Sequence, residues 1–102
     1  MNIFENHLKE IQDLILAKKD ILKLEKIENL DKINLEVPPE QFNFDLSCNI
    51  AMVLGKSNKF NPKKLAENLR ELFLNQIKSF SNVEVAGPGF LNIKLSKSAL
   101  IK

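Results

Sequence analysis

The sequence predicts an α+β domain, a small antiparallel β-sheet of about four strands with helices packed on one face. Three observations lead there. Helical and alternating hydrophobic patterns occupy separate stretches, in the order helix, strands, helices, strands. Gly87, Pro88 and Gly89 separate two short alternating runs in the manner of a hairpin. A length of 102 residues with 44% hydrophobic content suits one core and a single domain, 1–102.

The first element is a helix over Ile3–Ala17. Asn2 followed by Glu5 has capping-box character, and Phe4, Leu8, Ile11 and Ile15 recur at helical spacing. From Asp20 to Leu30 the pattern fits a second short helix or an irregular connection equally well, so both stay open. "INLEV", Ile33–Val37, alternates and is closed by Pro38 and Pro39, which cannot donate ladder hydrogen bonds, so it reads as a strand ended by a turn. A second short strand is expected over Gln41–Phe44. Asp45 or Ser47 then caps a buried helix through "LSCNIAMVL", with Gly55 as its C-terminal stop.

Asn61 and Pro62 mark the next start, because asparagine accepts from free amides at a cap and proline is preset for the first helical position. Leu65, Leu69, Leu72, Phe73, Gln76 and Ile77 follow at helical spacing and predict a helix over Pro62–Ile77. Lys63 and Lys64 sit in its first turn, where positive charge opposes the helix dipole at about 0.3 to 1 kcal/mol each. An anion docked there would offset that cost; two solvated lysines are the plainer reading.

"NVEVA" and "FLNIKL" form the closing hairpin. Neighbouring strand residues point to opposite faces, so Leu91, Ile93 and Leu95 form a core row and Phe90, Asn92 and Lys94 an open one. That open row carries an aromatic ring, an amide and an ammonium group. A ring stacks on an unpaired base, an amide reads a base edge and a lysine meets a phosphate. The competing reading folds Phe90 over the hairpin and leaves Asn92 and Lys94 as ordinary surface. Lys63, Lys64 and Lys94 are the expected phosphate contacts if they share one face. Ser96 caps a further helix beginning "KSALIK", which leads to the expectation of a domain cut from a chain that continues past Lys102.

Charge is unevenly distributed: Met1–Ile50 has a net charge of −4, and Ala51–Lys102 a net charge of +6. The basic half can steer a polyanion, or simply stay solvated. No apolar run approaches the roughly 20 residues that cross a bilayer, and the start lacks a signal-peptide pattern, so a cytoplasmic protein with no membrane partner is expected. One cysteine, Cys48, and one histidine, His7, exclude an internal disulfide and give no credible zinc cluster. Cys48 reads as a small buried apolar residue. "GPG" is no phosphate loop, since it lacks both GxxxxGK[ST] and GxGxxG spacing and leads into a strand. No carboxylate pair or nucleophile–base pair stands at a defensible spacing.

"VEVAGPGFLNIKLS", Val83–Ser96, resembles the block that closes the N-terminal additional domain of arginyl-tRNA synthetases. "DLSCNIAMVLGK" and "NPKKLAENL" resemble the two helices that precede it, in the same order and spacing. The resemblance implies a domain that touches the outer corner of tRNA(Arg) and reads an exposed D-loop base. Phe90 and Asn92 match the aromatic and asparagine that meet the base in that family. Asn49 and Asp45 match a second family motif, although Phe44 and Leu46 stand where its glycine and aromatic would be. The resemblance also implies a parent arginine-tRNA ligase whose catalytic domain, with its ATP and arginine, lies outside this chain, since HIGH-like and KMSK-like signatures are absent here. No cofactor is expected in this piece, which is expected to be monomeric and non-catalytic. The alternative is a docking module that uses the same sheet face to bind a protein, and an independent small enzyme is the least supported reading.

Overall fold

The structure is a computed structural model that describes residues 3–25, 27, 30–39, 41 and 43–96. The expected cap at Asn2, the contribution of Phe4 and the helix after Ser96 lie outside what is described. Three α-helices, α1 (Ile3–Lys18), α2 (Ile50–Asn58) and α3 (Pro62–Gln76), accompany four strands, β1 (Leu35–Glu36), β2 (Leu46–Cys48), β3 (Phe80–Ala86) and β4 (Phe90–Leu95). The strands form one sheet in the order β1-β2-β4-β3, every neighbouring pair antiparallel. The expected α+β architecture is the one observed.

α3 shows how local sequence becomes packing. The Asn61 side chain accepts hydrogen bonds from the backbone N–H groups of Lys63 (2.9 Å) and Lys64 (3.3 Å), satisfying two amides that have no partner inside the helix. Pro62 takes the first position. The buried stripe is Leu65, Ala66, Leu69 and Phe73, continued by Ile77 just past the end. Leu72 is half-buried and Gln76 is exposed. Each large apolar side chain on that stripe contributes roughly 1.5–3 kcal/mol. It meets Leu46, Cys48, Val83, Leu91, Ile93 and Leu95 from the sheet, while α1 adds Ile11 and Ile15 to the same core. His7 of α1 is buried there too, its ring 5.7 Å from that of Phe80 and its Nδ1 2.7 Å from Glu10 Oε1.

Several expectations are corrected. The second strand forms at Leu46–Cys48 rather than Gln41–Phe44. These residues were expected to open a helix, but Leu46 pairs with Ile93 and Cys48 with Leu91, so helix α2 begins only at Ile50. Asp45 is a strand clasp, not a helix cap. Its N–H donates to Ile93 O (2.9 Å) and its Oδ2 accepts from the Leu95 N–H (2.8 Å).

Gly55 does not end α2, which runs on to Asn58 and is capped by Lys59 in the left-handed region at φ 58°. Glycine is needed at 55 for space: a Cβ there would lie 3.1 Å from Phe60 O and 3.3 Å from Pro62 Cγ. The first strand also shrinks, from Ile33–Val37 to Leu35–Glu36. A 3-10 turn at Leu30–Lys32 precedes it.

Candidate nucleic-acid interface

The alternation in β4 holds. Leu91, Ile93 and Leu95 are buried in the core, and Phe90, Asn92 and Lys94 lie on the face away from the helices. Phe90 is 36% exposed. Its ring leans over the turn, with Cδ2 3.8 Å from where a Gly87 Cβ would stand, so the fold-over expected of a bland surface residue is partly realised. Gly87 and Gly89 have φ of 57° and 141°, which the turn requires and other residues rarely adopt.

Asn92 is only 9% exposed, although it faces outward. Its side-chain amide has no hydrogen-bond partner among the described residues. Register explains its surroundings: Asn92 pairs with Ser47 of β2 on one side and Glu84 of β3 on the other, and Ser47 pairs in turn with Glu36 of β1. A single row, Glu36, Ser47, Asn92, Glu84, thus crosses the whole sheet, with neighbouring Cβ atoms about 4.5–5.5 Å apart. The two carboxylates ending that row were not anticipated from the sequence. Glu84 Oε2 accepts a long bond from Asn82 Nδ2 (3.4 Å).

Lys94 is half-buried and donates from Nζ to Asn43 Oδ1 at 3.2 Å. Asn43 itself has φ 54°. Lys63 and Lys64 are exposed. α3 packs on the core face of the sheet and begins where the hairpin tip meets Pro62, whereas Lys94 is on the open face near the other end of β4. From these two places the three lysines would reach a ligand from two sides.

Asn49 is placed inside the fold. Its Oδ1 accepts from the Asn34 N–H (2.8 Å) and its Nδ2 donates to Lys32 O (3.2 Å), so it ties the approach to β1 to the start of α2. Its backbone carbonyl meanwhile accepts from Met52 and Val53. The amide is largely spent on structure.

Cys48 is buried, and burial pushes its thiol up from its ordinary value of 9.0 to about 12, so it is no nucleophile near neutral pH. Among the described residues no group of three or more His, Cys, Asp or Glu side chains is placed to hold a metal ion. None of the described helices is long and apolar enough to cross a membrane.

Residues 3–95 match the family described as arginyl tRNA synthetase N terminal domain. The chain is similar to the arginine-tRNA ligase of Pelagibacter ubique, 42% identical over 94 residues, covering 92% of this chain and 16% of that protein. It is also similar to those of Bartonella tribocorum, 44% identical over 99 residues, and Bartonella henselae, 46% identical over 99 residues; each match covers 95% of this chain and 16% of the relative. The chain therefore spans about one sixth of the length of the curated relatives it matches.

Proposed function

Because the chain belongs to the arginyl tRNA synthetase N-terminal domain family, we propose that it binds the D-loop at the outer corner of tRNA(Arg) and helps position that tRNA for ATP-dependent aminoacylation. Catalysis, with its ATP and arginine sites, belongs to a domain outside these residues; this piece takes no cofactor and works in the cytoplasm as a monomer. The observation that carries the reading is the Asn92 amide, 9% exposed on an outward face and without a hydrogen-bond partner among the described residues. Its paired donor and acceptor suit the edge of an unpaired base.

Phe90 supplies a stacking surface next to that amide, worth roughly 1–3 kcal/mol per base. Lys94 lies on the same face and meets the backbone, and Lys63 and Lys64 approach from the hairpin end. Glu36 and Glu84 repel phosphate from the centre of the row, which favours an uncharged base there. The domain's part in the reaction is binding energy and discrimination spent on orienting the acceptor end for chemistry elsewhere.

Fluorescence anisotropy of labelled tRNA(Arg) with the chain and its Asn92→Ala variant, at two salt concentrations, tests the reading. Salt-sensitive binding that the substitution weakens at least tenfold is expected, with a smaller loss when the D-loop base is changed. Binding that ignores both salt and the substitution would instead point to a protein-docking face.

A further inference from the structure

A groove on the helical side of the domain is lined by an exposed aromatic ring and three lysines. It is made of two adjoining depressions, of about 330 and 490 Å³, that share Phe60 and Lys23. Leu22 and Leu65 give the first its apolar walls and Lys64 its rim; Lys59 borders the second. Phe60 is 36% exposed. Among the described lining residues Glu25 is the one carboxylate, against three lysines.

The walls are tied together. Asn58 Oδ1 accepts from the Glu25 N–H (2.9 Å), and its Nδ2 donates to Leu54 O (2.9 Å), which fastens the segment after α1 to the end of α2. Lys23 and Lys59 both adopt left-handed backbone, at φ 59° and 58°, a conformation in which glycine would be cheaper. Side chains at these two positions therefore work against the fold, and both flank the same ring.

We propose that this groove is a second RNA site, taking an unpaired base on Phe60 and backbone phosphates on Lys23, Lys59 and Lys64. An RNA strand is the occupant that the charge selects: any base has a face to stack on the ring, and the surrounding cations match phosphates rather than the mixed charge of a protein surface. The groove adjoins the hairpin, because Pro62, two residues beyond Phe60, is the residue on which Gly89 rests. The inference rests on the reading that this domain's ligand is a tRNA, but uses residues that the sheet-face site does not.

The test is a titration of labelled tRNA(Arg) transcript with the 102-residue chain carrying Lys23→Gly and Lys59→Gly together. Glycine relieves the backbone at both positions, so the variant is expected to fold with a raised Tm. Its affinity is expected to fall at least tenfold at 0.1 M salt, and the slope of log K against log salt to become shallower by about 1.4, from about 0.7 for each single-strand phosphate. Phe60→Ala is expected to weaken binding while leaving that slope unchanged. Lys9→Ala with Lys78→Ala, at two exposed positions away from the groove, is expected to cost less than threefold. Wild-type affinity and slope in the double-glycine variant, or an equal loss in the Lys9/Lys78 pair, would overturn the groove. If Asn92→Ala weakens binding while the double-glycine variant does not, the groove falls and the sheet-face reading stands; the converse pattern rejects the sheet face alone, and no binding by the wild type rejects both.

Discussion

Gly89 of the β3–β4 turn lies flush on Pro62 of α3, so close that a Cβ at Gly89 would stand 3.0 Å from the Pro62 Cβ. Met52 of α2 approaches the same point at 3.3 Å. The turn that presents Phe90 is thereby seated on the junction between two helices, and the ring's position is set by the helical layer.

Gly89→Ala should therefore be costly twice over, through its φ of 141° and through the clash. A loss of about 2–4 kcal/mol is expected, since left-handed or wider strain alone costs of order 1–3 kcal/mol. Urea unfolding followed by circular dichroism measures it, and an unchanged midpoint would show that the turn does not rest on Pro62.

Asp45→Ala removes the carboxylate that accepts from the Leu95 N–H at 2.8 Å. Loss of a charge-assisted bond at a part-buried site should cost about 1.5–3 kcal/mol. Amide hydrogen exchange localises the effect: Leu95 should exchange faster than its neighbours in β4. Uniform exchange along the strand would contradict the clasp.

Two asparagines should separate folding from binding. Asn49→Ala breaks bonds to Asn34 and Lys32 and is expected to lower stability by about 1–2 kcal/mol. Asn92→Ala breaks no side-chain hydrogen bond with a described residue, so stability should stay within about 0.5 kcal/mol while tRNA binding weakens. Thermal melts of both variants alongside anisotropy titrations check the split; a large stability loss at Asn92 would sink it.

Cys48 sets an alkaline limit. Its folded value lies above the unfolded one, so its contribution to stability is fully present below pH 9.0 and is lost as pH rises from there toward about 12. Across that window it should remove about 1.4 kcal/mol per pH unit. Cys48→Ala lacks this slope, so the stability difference between variant and wild type should change between pH 8 and pH 10.5. A constant difference would mean that the thiol ionises in place.

α3 was legible because its signals are local: a cap, a proline and leucines at helical spacing. The boundary between β2 and α2 was not, because Leu46 to Leu54 is apolar enough to suit either period, and the choice is made by β4 more than forty residues away. Gly55 carried the mark of a helix end, yet its role is close approach to Phe60 and Pro62. The open row of β4 could be read from alternation alone. Its pairing with Glu84 and Ser47 could not, since register also depends on the irregularity between Phe80 and Asn82. The Phe60 groove was hidden for the same reason: its walls come from segments distant in sequence, joined by the Asn58 side chain and by the packing of Leu22 and Leu24.

Arg70 of α3 donates from Nε to Val83 O at 2.7 Å, and Asn82 Oδ1 accepts from the Val83 N–H at 2.9 Å, on the strand that ends the sheet. The opposite margin is two residues long and followed within three positions by Pro38 and Pro39. Covering Val83 at one margin and a short, proline-followed strand at the other are devices that blunt a sheet edge. Edges blunted in this way disfavour edge-to-edge pairing with neighbouring chains. The domain's contacts are then confined to side chains, which selection can retune one at a time.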